Sequence, residues 1–171
     1  ASGISGSFTI TSGLTPTQIA NLLSKVDFGT GGSSFLPPAS ITIDATGMSG
    51  AQLSTIATSV ASAGSSANQA AVFDIVNLSL TDGQTAGEMA ILLNSTLANE
   101  ATVDATGMDA SQLAALGNAP AAVDQITGTV TITADLTAEQ IAAIMGNTAT
   151  SPTAMNRAIL DQNGTVMQFV G

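Results

Sequence analysis

The chain has 171 residues, with twelve acidic residues against two basic ones, a net charge of -10, and neither His nor Cys. So little positive charge excludes nucleic-acid binding, which depends on clustered Lys and Arg, and disfavours attachment to anionic membrane surfaces. The absence of Cys excludes disulfides and thiolate metal sites, and the 44% apolar content is mostly small aliphatic residues, which predicts a core of small side chains in thin layers.

Short runs rich in Val, Ile, Phe and Thr recur along the chain and predict β-strands. Within them, apolar residues alternate with Thr or Ser, as in Phe8 and Ile10 or Val130 and Ile132. This period of two is typical of strands with one buried face. The predicted strands are residues 7–11, 40–44, 73–80, 101–104, 129–133 and 165–170.

A helix-start signature follows each of the first five strands. Ser, Thr or Asp is followed three residues later by Gln or Glu, the capping-box pattern that satisfies two free amides at the start of a helix. Apolar residues at helical spacing come next and predict one buried face per helix. The predicted N-caps are Thr15, Ser49, Thr85, Asp109 and Thr137.

The third helix start is ambiguous, because Thr81 is also followed three residues later by Gln84. Thr85 is the better prediction, since Met89 and Leu92 then take the standard apolar positions. Residues 82–84 would in that case form a turn or an insertion.

Two other segments predict additional helices, and one predicts a loop. Residues 120–126 begin with a proline, and residues 152–160 begin with Pro152 after a potential cap at Ser151. The Gly-rich and Pro-rich stretch 29–38 predicts a surface loop.

Strands and helices that alternate with short connections predict an α/β fold with a parallel sheet and right-handed crossovers. The repeated caps favour a strand-turn-helix solenoid, laid out like a leucine-rich repeat, over the alternative of a doubly wound sheet. Residues 1–171 are predicted to form a single repeat domain of about five units and a closing strand. The unit boundaries are approximately 4–39, 40–72, 73–100, 101–128 and 129–164, with the closing strand at 165–170.

The most interesting polar residues are acidic and lie at strand ends. The sequence Asp-Ala-Thr-Gly-Met occurs at 44–48 and again at 104–108, and Asp74 lies midway. If strands stack in sequence order about 4.8 Å apart, Asp44 and Asp104 are about 9.6 Å apart, near the upper limit for an inverting glycosidase pair. An Asp before a turn more often bonds its own backbone, with Gly47 and Gly107 supplying a positive φ.

Calcium is the more plausible chemistry for these carboxylates, so Asp44, Asp74 and Asp104 are the metal-ligand candidates, although no EF-hand-like loop is present. No catalytic residues are predicted. The sole lysine, Lys25, has no motif around it for a Ser-Lys dyad, and the glycines at 29–32 do not lead into a phosphate-binding helix. The sequence therefore predicts a protein that is not an enzyme and has no cofactor, with calcium as the one exception considered.

Residues 136–144, preceded by the strand at 129–133 and echoed at 108–116, resemble repeats of very large, acidic, secreted bacterial surface proteins. The resemblance extends over most of the chain as a pattern of degenerate units. It implies an extracellular or cell-surface location and a structural or adhesive role. The uncharged stretch 45–73 is too rich in Ser, Gln, Asn and Gly to predict insertion into a membrane. The expected partners are neighbouring repeats or copies of the chain joined end to end. A calcium- or glycan-binding adhesion module that uses the acidic turns is the alternative.

Overall fold

The computed structural model describes residues 6–26, 40–62, 73–96, 99–133 and 135–147, and two further strands, Arg157–Gln162 and Thr165–Gln168. Five helices lie in this part of the chain, and the α/β class with parallel strands is confirmed. The helices are Pro16–Leu23 (α1), Gly50–Ser62 (α2), Ala86–Asn94 (α3), Ala110–Asn118 (α4) and Ala138–Asn147 (α5). The strands are Ser7–Ile10 (β1), Ser40–Asp44 (β2), Phe73–Val76 (β3), Ser79–Leu80 (β4), Ala101–Asp104 (β5), Val123–Thr127 (β6), Thr129–Ile132 (β7), Arg157–Gln162 (β8) and Thr165–Gln168 (β9).

The strands form three small sheets in sequence order: β1-β2-β3, β4-β5-β6 and β7-β8-β9. All neighbours are parallel except β8 and β9, which are antiparallel. Only Asn77 and Leu78 separate β3 from β4, and only Gly128 separates β6 from β7. Asn77 and Gly128 both have positive φ, 55° and 79°. The last strand of each of the first two sheets therefore runs almost directly into the first strand of the next.

All five predicted capping boxes are present. In each, the N-cap amide donates to the side chain three residues later at 2.7–2.9 Å, and the amide of that residue donates back to the N-cap side chain at 2.9–3.3 Å. Thr85 begins α3, as predicted. Residues 82–84 form a turn, in which the Gly83 amide donates to Thr81 Oγ1 at 3.2 Å. The boxes set where each helix begins, because they satisfy amides that have no partner inside the helix.

The core lies between the strands and one face of each helix. Ile10, Ile43 and Ile75 form a row across the first sheet and are fully buried. Consecutive helices also contact one another, α1 with α2, α2 with α3, α3 with α4 and α4 with α5. The large buried side chains are almost all Ile, Leu and Met, as composition indicated.

Two helix predictions were wrong. Residues 120–126 form a 3-10 turn, Pro120–Ala122, followed by β6. The register with β5 shifts between Ala101 and Thr102, so that Asp124 and Gln125 are both exposed between buried Val123 and Ile126. That bulge gives a strand the three-residue apolar spacing of a helix.

The predicted helix at 152–160 overlaps β8, which begins at Arg157, whereas residues 151–156 lie outside the described residues. The predicted loop at 29–38 also lies outside them. The predicted single strand at 73–80 is divided into β3 and β4 at Asn77 and Leu78.

Close packing of α4 on α5 depends on a glycine, and this contact gives a first prediction. A Cβ on Gly117 would lie 2.9 Å from Gln140 Cα, whereas a Cβ on Gly87 in α3 would meet nothing within 4 Å. We expect Gly117→Ala to lower the free energy of unfolding by about 1–3 kcal/mol, because two helix backbones must separate. Gly87→Ala should raise it by up to about 1 kcal/mol, since alanine favours helices.

Urea denaturation followed by circular dichroism measures both variants. Equal effects of the two substitutions would contradict the close approach at Gly117.

Candidate functional site

The first acidic turn follows β2 and is organised by Asp44. Asp44 Oδ1 accepts hydrogen bonds from Thr46 Oγ1 at 2.7 Å and from the Thr46 amide at 3.1 Å. Gly47 has a φ of 68°, and the Met48 amide donates to the Ala45 carbonyl at 3.0 Å. The hydrogen bonds from the Thr46 side chain, then from Asn77 and the Thr46 amide, lower the pKa of Asp44 below its usual value.

The second acidic turn repeats this geometry after β5. The Thr106 amide donates to Asp104 Oδ1 at 3.1 Å, and Gly107 has a φ of 83°. Both aspartates are therefore Asx-turn residues that bond their own backbone. Asp44 and Asp104 lie in different sheets. The estimate of 9.6 Å between them assumed two strands apart in one sheet, so it does not apply.

Each acidic turn supports a break between sheets. Asn77, at the first break, donates from Nδ2 to Asp44 Oδ1 at 3.1 Å. At the second break, Thr106 Oγ1 accepts from the Thr129 amide at 3.2 Å, and the space that a Cβ on Gly128 would need is filled by Asp104 Oδ1 and Thr106 Oγ1. The repeated motif thus holds the chain where one sheet passes into the next.

Asp74, the third candidate, lies within β3 and not in a turn. It is opposite Thr42 in the register with β2. Its side chain is partly buried, and its Oδ1 is buried without a hydrogen-bond partner. No group of three or more acidic side chains in the described part of the chain is arranged to hold a metal ion. Asp44 and Asp104 are engaged in their own turns, so the structure does not assemble the three candidates into one site.

Two glutamines that sequence reasoning treated only as capping residues also bond to the turn before the preceding helix. Gln52 Nε2 donates to the carbonyls of Ser12 at 3.0 Å and Leu14 at 2.7 Å. Gln112 Nε2 does the same to the carbonyls of Asp82 at 3.0 Å and Gln84 at 2.6 Å.

Both glutamines are only 7% exposed, and in each Oε1 closes the capping box. Each one therefore ties the start of its helix to the turn before the preceding helix. We call these turns, residues 11–14 and 81–84, the acceptor turns.

The residue type alone does not mark this second role, because the third helical residue is Gln in α1, α2, α4 and α5. The helices α2 and α4 differ in that they follow the acidic turns and bury this Gln, whereas Glu88 in α3 is partly buried and caps its helix. A carboxylate can accept from the cap amide but cannot donate to carbonyls. Helices with a buried third residue, α2 and α4, thus alternate with helices in which that residue is not buried.

Comparison with models of known protein families, with curated proteins and with solved structures found no match. Within the described residues, none of the helices has the length and apolar character that crossing a membrane requires.

A shallow groove of about 450 Å³ runs between α3 and α4. Small side chains line it, including Ala86, Ala90, Ala114 and Ala115, with Asn94 and Asn118 toward one end. Its lining contains no charged side chain, and its one hydroxyl, that of Ser111, has no acidic or basic side chain beside it in the lining. The groove reflects the small residues that let neighbouring helices approach closely.

The lowered pKa of Asp44 predicts a pH dependence. A carboxyl whose folded-state pKa lies below its unfolded value stabilises the fold above the unfolded pKa, and that stabilisation is lost as pH falls through the folded pKa. The melting temperature of the protein should therefore fall as the pH drops below about 4. Asp44→Asn keeps an acceptor for Thr46 but does not titrate, so the melting temperature of this variant should depend less on pH at acid pH than that of the parent. If the melting temperatures of the two proteins fall equally steeply, the hydrogen bonds of Asp44 do not cause the pH dependence.

Proposed function

We propose that the chain is a non-enzymatic structural module of an extracellular or cell-surface bacterial protein. It serves as a spacer, an adhesin stalk or a subunit of a surface layer or filament, and it associates through the ends of its stack of units. The observation that carries the proposal is the bonding of Gln52 and Gln112 to the acceptor turns. These hydrogen bonds join successive units of the proposed stack. A further unit that carries the same motif could therefore be added to the stack without a change in the existing units.

The proposed architecture is a strand-turn-helix solenoid. Its support is that consecutive helices contact one another and that consecutive sheets are separated by one or two residues. In such a stack each unit needs only its neighbours, so the stability is a sum of unit and interface terms. An elongated, extendable body of this kind suits a spacer or stalk.

The chemistry of the side chains supports a structural role over catalysis. The sequence has neither His nor Cys, and Asp44 and Asp104 are held in turns by their own backbone. A net charge of -10 favours solubility and repels other anions. The resemblance to repeats of acidic, secreted surface proteins supports the proposed location.

Sedimentation velocity over a wide range of protein concentrations tests the proposal. We expect a single elongated particle at low concentration and larger, end-to-end species as concentration rises. A compact particle, with the frictional ratio of a sphere, would overturn the elongated stack. An elongated particle that stays monomeric at millimolar protein would leave the spacer or stalk role and remove self-association.

The second candidate function is a calcium- or glycan-binding adhesion module, and the buried, unpartnered Oδ1 of Asp74 favours its calcium form. Calcium prefers carboxylate and carbonyl oxygens. Isothermal titration should then give saturable heat that Asp74→Asn abolishes and Asp124→Asn, an exposed control in β6, does not. Absence of saturable heat, with no change in melting temperature, would remove this candidate.

A further inference from the structure

The acceptor turn 81–84 contains the dipeptide Asp82–Gly83, and both of its residues are exposed. Every other aspartate in the sequence is followed by a residue that carries a side chain. Glycine has no Cβ, so the nitrogen of Gly83 can approach the Asp82 side chain without the hindrance that a Cβ would cause. Asp82 is therefore the aspartate whose carboxyl carbon is most open to attack by the main chain.

The carboxylate of Asp82 is also free to turn toward the main chain. Asp44 and Asp104 are different, because each accepts a hydrogen bond from the backbone amide two residues on and is followed by alanine. No hydrogen bond holds the Asp82 carboxylate in the described part of the chain. Its Oδ2 lies beside Gly107, 2.8 Å from the position that a Cβ there would take. The side chain of Asp82 therefore has few restraints on its rotation.

The structure contains a second turn of the same kind, with serine in place of the aspartate. In turn 11–14 the corresponding dipeptide is Ser12–Gly13, whose residues are also exposed. The amide of the last residue donates to the carbonyl of the first in both turns, at 3.3 Å in 11–14 and at 3.4 Å in 81–84. The two turns therefore share this hydrogen bond and differ in whether their exposed dipeptide carries a carboxyl group.

The main-chain carbonyl of Asp82 has a partner in the following helix pair. Gln112 Nε2 donates to it at 3.0 Å and to the Gln84 carbonyl at 2.6 Å. One amide group can reach both carbonyls only if the main chain between them keeps its length and path. A change in the main chain at Asp82 would therefore disturb both bonds.

We propose that Asp82 is a site of spontaneous isomerisation to isoaspartate, and that the product weakens the bonds from Gln112 to the turn. The Gly83 nitrogen attacks Cγ of the protonated carboxyl, the N–Cγ bond forms, and the amide proton leaves with the carboxyl hydroxyl as water. Water then adds to the former main-chain carbonyl carbon of the resulting succinimide ring. The bond from that carbon to the nitrogen breaks, and the nitrogen takes a proton from the water.

The reaction loses one water and gains one, so it needs no other reactant. In the product the main chain runs through Cβ and Cγ of residue 82, which adds one methylene group to the turn. The former carbonyl of residue 82 becomes a free carboxylate. This inference concerns a chemical modification and does not rest on the proposed structural role.

Ageing of the full chain for several weeks at physiological temperature and pH tests the proposal. An endoproteinase that cuts before aspartate does not cut before isoaspartate, so mass spectrometry detects the isomer as segment 74–103 left uncut at residue 82. Cleavage before Asp104, which precedes alanine, is the internal reference in the same digest. Urea denaturation of fresh and aged protein measures the effect on stability.

Two variants serve as matched controls. Gly83→Ala hinders the attack and should keep the turn, because Gly83 does not have a positive φ and an added Cβ would lie 3.4 Å from Thr81 Oγ1, an ordinary contact. Ser12→Asp places the same dipeptide in turn 11–14, where Gly13 already follows.

We expect isomerisation at residue 82 of the parent to be several-fold faster than at Asp104, and Gly83→Ala to slow it to the rate at Asp104. Ser12→Asp should add a second site at residue 12. On ageing, the urea midpoint should fall in the parent but not in Gly83→Ala.

Equal rates at residues 82 and 104, or equal rates in the parent and Gly83→Ala, would overturn the proposal. Absence of the isomer at residue 12 of Ser12→Asp would overturn the part that the turn plays. An unchanged urea midpoint in the isomerised parent would overturn the effect on the bonds from Gln112. Sedimentation of fresh protein is independent of these outcomes, so the proposed structural role is judged separately.

Discussion

Gln112→Glu is expected to lower the free energy of unfolding at pH 7 by about 3 kcal/mol or more, because it places an unpaired carboxylate against two carbonyl oxygens. The native amide donates to the carbonyls of Asp82 and Gln84, and the side chain is 7% exposed. Glutamate keeps the capping bond from the Asp109 amide, so the loss isolates the bonds to the acceptor turn 81–84.

The same variant should respond to pH in a defined direction. Burial beside carbonyl oxygens raises the pKa of a glutamate at this position in the folded state. The folded state then binds the proton more tightly than the unfolded one, so stability falls as pH rises above about 4.3, the ordinary glutamate value, until the folded pKa is passed. Urea midpoints at pH 4 and pH 7 measure the difference.

Gln18→Glu is the matched control for Gln112→Glu. Gln18 closes the same capping box at an exposed position, and α3 already carries Glu88 there. We expect its effect to stay within about 0.5 kcal/mol at both pH values. If Gln112→Glu were as mild as Gln18→Glu, the bonds from Gln112 to the acceptor turn 81–84 would contribute nothing to stability.

Gly128→Ala is the second substitution expected to be severe. Gly128 has a φ of 79°, and the position of an added Cβ is occupied by Asp104 Oδ1 and Thr106 Oγ1. Alanine must therefore adopt a left-handed backbone, at about 1–2 kcal/mol, and also push apart the turn that supports the break between β6 and β7. We expect a total loss of about 3 kcal/mol in the free energy of unfolding, measured by urea denaturation.

Gly6→Ala separates the two causes. Gly6 also has a positive φ, 99°, but an added Cβ there would meet nothing within 4 Å. Both substitutions force alanine into a left-handed backbone, so this cost is common to the two. Gly6→Ala should therefore lose less free energy of unfolding than Gly128→Ala, and the difference is the cost of the steric clash at Gly128. Equal losses would show that crowding by Asp104 and Thr106 contributes nothing.

Local signals in the sequence were enough to predict where helices begin. A capping box involves residues three apart, so Thr15 with Gln18 or Thr137 with Gln140 can be recognised without knowing any tertiary contact. The strands at 40–44 and 101–104 were predicted with their observed bounds for the same reason, since each has a clear alternation and ends at an Asx turn. The turn role of Asp44 and Asp104 likewise depends on residues two apart.

Features that depend on pairing partners could not be predicted in this way. The helix predicted at 120–126 failed because the bulge opposite Ala101 and Thr102 is a property of two strands, not one. The donation from Gln52 to Ser12 joins residues 40 positions apart, and only the fold brings them together. The division at Asn77 has the same origin, because β3 pairs with β2 whereas β4 pairs with β5.

The breaks at Asn77–Leu78 and at Gly128 bear on a hazard of this composition. The strands are rich in Val, Ile, Thr and Phe, and only 8% of the residues in the chain are charged. Strands of this composition are prone to pair with other chains and to form cross-β aggregates. Such pairing needs a long, flat, uninterrupted edge. The positive φ at each break bends the strand after four or five residues, so the run 73–80 and the run 123–132 never present that edge. We therefore expect the turns that hold the sheets in place also to disfavour amyloid-like association.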